Sequence, residues 1–143
     1  MASSKAPTAP TFLHSIAILP HHIDQMGHVN NAVYLHWVQE AVVAYWQCKS
    51  SGPVRDQLLW VALKHEITYR LPLFLGDDVV AEVTAIGTRG SRATFVTRFR
   101  RGDDLVAEVR SSWCCVDAKT RRPRRIDAKV SDAFLLQGGR LSK

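Results

Sequence analysis

A short stretch of the chain, DQMGHVNN, concentrates side chains whose types and spacing suit a reaction. Asp24 is a carboxylate that can act as a base or a nucleophile, and Gly27, His28, Asn30 and Asn31 follow it closely. The apolar segment that comes next predicts a helix, whose first backbone N–H groups lack acceptors within the helix and lie at the positive end of its dipole. On residues alone, an aspartate near a helix start is most often a turn or capping residue. A site where a bond is broken is the alternative.

The helix that must position this stretch is predicted from about Asn31 to Cys48, because apolar residues recur there at steps of three and four. Asn30 and Asn31 are expected to include its N-cap, and Gly52 with Pro53 are expected to end it. So few polar positions over roughly five turns indicate a helix that is nearly engulfed by the rest of the protein.

Five strands are predicted around this helix, from their β-forming residues or their alternating hydrophobicity. They cover residues 11–19, 58–71, 79–87, 92–101 and 105–118. Short turns between the later strands favour an antiparallel sheet, and one curved sheet wrapped around the helix is the simplest way to bury it. The predicted fold class is therefore α+β, with one domain over residues 11–136, a disordered N-terminal arm at 1–10 and a tail at 137–143.

The composition narrows the classes of function. The chain has 143 residues, a net charge of +6 and a pI near 9.6, which favours anionic partners. Its cysteines, Cys48, Cys114 and Cys115, match neither a disulfide framework nor a metal-binding spacing, so reduced thiols, no metal and a cytoplasmic location are expected. No segment is long and apolar enough to span a bilayer, and the first ten residues do not resemble a secretory signal.

Four segments of the chain carry a family pattern in the right order, over roughly residues 12 to 130. They are DQMGHVNNAVYLHWVQEA, EITYRLPLFLGDDV, IGTRGSRATF and VAEVRSSWCCVDAKTRRPRRI. The first is the most specific and resembles the motif of the hotdog-fold acyl-CoA thioesterases of the 4-hydroxybenzoyl-CoA thioesterase family. The resemblance implies a five-stranded antiparallel sheet around a central helix. It also implies dimers whose sheets join edge to edge, often paired into tetramers, with active sites at the subunit interface.

The resemblance assigns roles within the first motif. It implies that the carboxylate of Asp24 is the nucleophile or general base, and that the backbone N–H of Asn31 stabilises the oxyanion. Gly27 would let the chain pack tightly against the thioester. His28 is expected to fix the loop rather than to act as the base, because the family gives the leading role to the carboxylate. The side chain of Asn30, like that of Asn31, would orient Asp24 or a water molecule.

Three residues of the helix have weaker assignments. Glu40 is the one acid in the predicted buried segment, and a buried carboxylate usually has a partner. We therefore expect it to support the site or to form a structural ion pair. Tyr34 and Trp37 are expected to be core residues, with the lining of an acyl pocket as the alternative.

Basic residues form the other candidate binding region. Arg89, Ser91 and Arg92 lie between two predicted strands, where the family contacts the CoA nucleotide, and arginine side chains suit phosphates. A solvated hairpin is the alternative there. The basic run that follows the last strand is expected to be a solvated tail, with phosphate contact as its alternative; it contains Lys119, Arg121, Arg122, Arg124 and Arg125.

The resemblance thus predicts an acyl-CoA thioesterase, a homodimer or homotetramer that requires no cofactor. Hydrolysis of acyl groups on an acyl carrier protein is an alternative, because that carrier is acidic and this chain is basic. A non-catalytic acyl-CoA-binding protein is another, since a pocket does not prove turnover. A dehydratase is disfavoured because DQMGH lacks the Asn-Pro and the spacing of those relatives. No recognition motif supports nucleic-acid binding.

Overall fold

The computed structural model describes residues 11–135. The predicted arm and tail lie outside the described residues, and the proposed domain bounds stay predictions. Within these residues, five strands and three helices follow one another, with a single 3-10 turn at Pro20–His22 after the first strand. They are β1 (Thr11–Ile16), α1 (Val33–Lys49), α2 (Gly52–Gln57), β2 (Leu58–Tyr69), β3 (Val79–Arg89), β4 (Arg92–Arg101), β5 (Asp104–Asp117) and α3 (Ala128–Leu135).

The strands form one antiparallel sheet in the order β1-β3-β4-β5-β2, which confirms the predicted fold class. The two edges are β1 and β2, and α1 carries the chain from one edge to the other. The turn at residues 101–104 closes β4 onto β5 as predicted, with Arg101 opposite Asp104. Tyr69, Ala107 and Phe99 lie level with one another on three neighbouring strands, and that level marks the end of the sheet nearest the start of α1.

Helix α1 packs one face onto the sheet. Its buried residues recur at helical spacing; they are Tyr34, Trp37, Val38, Ala41, Val42, Tyr45 and Trp46. The helix lies over β1 and β3, and its aromatic rings contact Phe95 and Phe99 on β4. The opposite face is open, with Leu35 41% and Val43 39% exposed. The prediction of a nearly engulfed helix is therefore wrong for the single chain, because these two apolar residues belong to the outer face.

The start of α1 differs from the prediction, whereas its end at Lys49 lies beside the predicted end at Cys48. The N-cap is Ala32, which makes no side-chain cap. Asn30 instead closes a turn before the helix, with its Oδ1 accepting from Ala32 N–H at 2.9 Å. At the other end, Ser50 is the C-cap of α1. Gly52 is the first residue of α2, and the hydroxyl of Ser51 caps that helix. The Gly-Pro pair that was expected to end one helix therefore also starts a second, which suits a proline in a first helical turn.

Candidate active site

The loop between the 3-10 turn and α1 is a miniature hairpin. Ile23 and Val29 form an isolated antiparallel bridge, Asp24 N–H donates to His28 O at 3.1 Å, and Gly27 N–H donates to Asp24 O at 2.9 Å. Gly27 has φ 88°, a left-handed conformation that glycine adopts without steric cost. The conformation of the loop is thus defined by its own backbone hydrogen bonds.

The Asp24 carboxylate is half-buried within this hairpin. Its Oδ1 accepts a hydrogen bond from Met26 N–H at 2.9 Å, which fixes the orientation of the carboxylate. Among the residues that the structure describes, Oδ2 has no hydrogen-bond partner and the side chain forms no ion pair. One oxygen therefore holds the group in place while the other stays available for chemistry.

The start of α1 leaves one backbone donor unused. The N–H of Ala32 donates to the Asn30 side chain, and those of Val33 and Tyr34 donate to the carbonyls of Asn30 and Asn31 at 2.9 and 3.3 Å. Asn30 N–H donates to His22 O at 2.9 Å. Within residues 30–34, only Asn31 N–H has no acceptor among the described residues. It lies at the positive end of the helix, where negative charge is stabilised.

Tyr69 fixes the same peptide segment from the sheet. Its hydroxyl donates to Asn31 O at 2.9 Å, across 38 residues of sequence. Its ring meets that of Tyr34 edge to face at 5.3 Å, and burial raises the pKa of Tyr34 to about 12. Tyr69 lay within a motif of the resemblance, but no role was assigned to it. The contact between Tyr69 and Asn31 cannot be read from local spacing, because the two residues are far apart in the sequence. The position of a tyrosine at the end of an apolar strand was the one signal of a place near the site.

The two histidines of the loop make different contacts. His28 faces Phe74 edge to face at 6.3 Å, and its Nδ1 lies 3.4 Å from Val29 O. His22 is buried; its Nδ1 accepts from Leu19 N–H at 2.9 Å, and its ring packs on Trp37. Burial, with the neighbouring His21, lowers the pKa of His22. The sequence did not predict that His22 is buried and supports the loop, because the pair His21-His22 is typical of an exposed loop after a strand. The loop-fixing role of His28 stays a prediction.

The helix residues occupy two separate places. Tyr34 and Trp37 are 2% and 1% exposed and form the core directly beneath the helix start, so in the single chain they pack rather than line a pocket. Glu40 lies on the open face of α1, where its Oε2 is 2.7 Å from His14 Nε2 on β1. The expected ion-pair contact is therefore present, but the expected burial is wrong because this turn of the helix faces outward.

The basic hairpin lies at the far end of the sheet from Asp24. Arg92 is paired with Arg89 and is seven residues along β4 from Phe99, which corresponds to about 23 Å of strand. Neither arginine forms an ion pair within residues 11–135. The loop after β5 is tied to this hairpin by hydrogen bonds from Cys115 N–H to Ser91 O and from Ile126 N–H to Gly90 O, at 2.8 and 2.9 Å. The structure therefore gathers the basic residues together but keeps them away from Asp24.

The family model for the thioesterase-like superfamily matches residues 18–134. The chain belongs to the thioesterase-like superfamily. This match confirms the resemblance seen in the motifs and, at the level of the family, the prediction of a thioester hydrolase. Among the described residues, no cluster of side chains could hold a metal ion, and no helix is long and apolar enough to cross a membrane.

Individual relatives are distant in sequence but close in fold. The long-chain acyl-CoA thioesterase FadM of Escherichia coli K12 is 22% identical over 82% of this chain and 92% of its own length. A thioesterase of Thermus thermophilus, solved with coenzyme A and Zn, is 22% identical, with a TM-score of 0.76 over 89% of this chain and 98% of that one. The PA5185 protein of Pseudomonas aeruginosa PAO1 is 18% identical, with a TM-score of 0.78 over 86% and 88%. These likenesses confirm the hotdog fold.

Proposed function

We propose that this protein hydrolyses acyl-CoA thioesters to a free acid and CoA. The observation that carries the proposal is the unused N–H of Asn31, held at the start of α1 beside the Asp24 hairpin. A fixed donor at a helix start suits the negative charge that develops on a carbonyl oxygen under attack. The free carboxylate oxygen of Asp24 supplies the attacking group or the base that activates water.

The mechanism follows from these two groups. The thioester carbonyl oxygen accepts from Asn31 N–H, and attack on the carbon turns it into an oxyanion at the same donor. Either Asp24 attacks and water then hydrolyses the resulting anhydride, or Asp24 takes a proton from the attacking water. In both routes the C–S bond breaks, CoA leaves as a thiolate that is then protonated, and the acyl group leaves as a carboxylate. A single oxyanion donor typically contributes about 3–4 kcal/mol.

The distance between Asp24 and the basic hairpin argues for a second copy of the chain. Strand β2 is an open edge of 12 residues, with Leu59 39% and Val61 46% exposed, and such edges invite pairing. If β2 pairs with its own copy around a two-fold axis, the start of one β2 lies beside the end of the other. The second copy's Arg92 is then about three strand spacings, or roughly 14 Å, across the sheet and about 10 Å along the strands from the first copy's Tyr69. In such a dimer, the arginine hairpin of one copy lies within reach of the nucleotide of an acyl-CoA whose thioester is bound at Asn31 of the other copy.

Two relatives support this substrate. FadM carries the name of a long-chain acyl-CoA thioesterase, and the Thermus thermophilus enzyme was solved with coenzyme A. A basic chain with unpaired arginines suits a cofactor-sized molecule that bears several phosphates.

The direct test is release of free thiol from a panel of aliphatic and aromatic acyl-CoAs, followed with a thiol reagent. The panel is paired with binding of a thioether analogue that has no cleavable thioester. We expect saturable thiol release with at least one acyl-CoA, and competition by the analogue. Tight binding of the analogue with no thiol released from any substrate would contradict hydrolysis and identify an acyl-CoA-binding protein instead.

The basic end favours one second candidate, hydrolysis of acyl groups on an acyl carrier protein. Besides the arginines of the hairpin, Arg122 and Arg125 are exposed there and form no ion pair within residues 11–135, and such charges suit an acidic carrier. A kcat/KM for acyl carrier protein that exceeds the value for the matching acyl-CoA, and that falls steeply with salt, would favour this candidate.

A further inference from the structure

The inner face of β2 is the part of the sheet that α1 does not cover. The inner residues of β3, β4 and β5 beneath the helix are fully buried, as in Val83, Phe95 and Val109. On β2, by contrast, Ala62 and Ile67 are only half-buried. The inner face of β2 therefore stays partly open beside the helix, up to Tyr69, where the thioester carbonyl is proposed to lie.

A β-bulge decides which side chains lie on this partly open face. Ala62 pairs with Trp113 and Lys64 with Ser112, so Leu63 is an extra residue that shifts the alternation by one. Without it Lys64 would follow Ala62 on the inner face; with it, His65 faces inward in line with Ile67 and Tyr69. Bulges of this kind re-aim side chains, often next to functional sites.

The ring of His65 has no polar partner of its own. Both ring nitrogens are buried, and neither has a hydrogen-bond partner among the residues that the structure describes. Its ring meets Trp113 edge to face at 5.9 Å, and burial lowers its pKa. Ser111, directly opposite on β5, already accepts from the Trp113 indole N–H at 3.0 Å. Leaving a buried polar group unpaired typically costs about 1–3 kcal/mol, so a partner that arrives with a ligand accounts for the arrangement.

We propose that His65 hydrogen-bonds an oxygen carried partway along the acyl chain, so that the preferred substrates are acyl-CoAs with a hydroxyl or oxo group at that depth. This inference rests on the proposed function, because the thioester end must be anchored at Asn31. His65 is four residues along β2 from Tyr69, a distance of about 13 Å, which suits a medium-length chain rather than a group next to the thioester. A neutral imidazole offers one donor and one acceptor, which matches a hydroxyl better than a carboxylate.

The test compares kcat/KM for decanoyl-CoA, its terminally hydroxylated derivative and β-hydroxydecanoyl-CoA. The wild-type protein should favour the terminally hydroxylated substrate over decanoyl-CoA by roughly fivefold, which corresponds to one net hydrogen bond. The β-hydroxy substrate should show no such preference. His65→Leu should abolish the preference, and His65→Gln, which keeps a donor and an acceptor, should retain part of it. Glu66→Gln, on the outer face of the same strand, should leave the ratio unchanged.

Two results would overturn the inference. One is a wild-type ratio near one; the other is a His65→Leu variant in which all three substrates lose activity in parallel, as expected if His65 binds a second copy of the chain. If His65→Leu does not fold, the wild-type ratio and His65→Gln decide. Failure of the proposed function is distinct, because then none of the three substrates releases thiol.

Discussion

The two ends of the sheet differ in how their polar groups are used. At the Asp24 end, one hydrogen bond orients the carboxylate, the loop is closed by backbone bonds, and a single N–H at the helix start is left without an acceptor among the described residues. At the other end, Arg89 and Arg92 extend from a hairpin without ion pairs within that same part of the chain. Bond breaking needs donors and bases fixed in advance, whereas recognition of phosphates needs mainly charge on long side chains. Under the proposed function, turnover at the Asp24 end and phosphate binding at the arginine end are therefore separated by the length of one sheet.

The largest effect should come from Asp24→Asn. Asparagine keeps the size, and its side-chain oxygen can still accept from Met26 N–H, so the loop and the melting temperature should be preserved. Loss of the base or nucleophile should lower kcat by roughly 10²–10⁴ with little change in KM. His28→Ala should cost less. If the Asp24→Asn protein melts normally and its kcat is within about threefold of the parent value, Asp24 has no catalytic role.

The next largest effect should be on KM, at the arginine end of the sheet. Replacing Arg89 and Arg92 together by alanine should raise KM for acyl-CoA by about tenfold and change kcat little, because phosphate contacts are the same in the ground and transition states. The control substrate is acyl-pantetheine, which lacks the nucleotide and should be unaffected. An equal loss with both substrates would show that the hairpin does not bind the nucleotide.

Tyr69→Phe should have a smaller effect on kcat. It removes the hydroxyl that donates to Asn31 O but keeps the ring against Tyr34. One net hydrogen bond is worth about 1 kcal/mol, so kcat should fall by roughly fivefold while KM stays the same. Unchanged steady-state kinetics would mean that the first turn of α1 holds Asn31 without help from the sheet.

The smallest effect should follow Glu40→Gln. The Glu40–His14 pair lies on the open face of α1, and its side chains are 46% and 24% exposed, so solvent screens it and its loss should cost less than about 1 kcal/mol. Thermal unfolding should show a slight shift, and kcat should not change. A large fall in kcat would show that Glu40 takes part in catalysis, and that the outer face of α1 belongs to the active site.

Local patterns predicted the geometry of the candidate site better than long-range ones. Asp24 and Asn31 are seven residues apart, so a loop followed by a helix start was enough to bring them together. The contact of Tyr69 with Asn31 depends on how the strand meets the helix, which no local spacing contains. The outward turn of Glu40 was missed because Leu35 and Val43 lie on the same face and made that face look apolar. The bulge at Leu63 was likewise invisible, and it reverses which side chains of β2 point inward.

Strand order has a consequence for how the protein is made. β1 pairs with β3, so Thr11 must meet Thr84 across most of the domain, and β2 joins the sheet only through β5. Until β5 has been synthesised, β2 has no neighbour in the chain, and the hydroxyl of Tyr69 has no fixed position from which to reach Asn31. Such distant pairings slow folding, because loop closure must precede the contacts that reward it. A ribosome-bound chain that stops before residue 104 should therefore hold the whole DQMGHVNN motif and yet lack the candidate site.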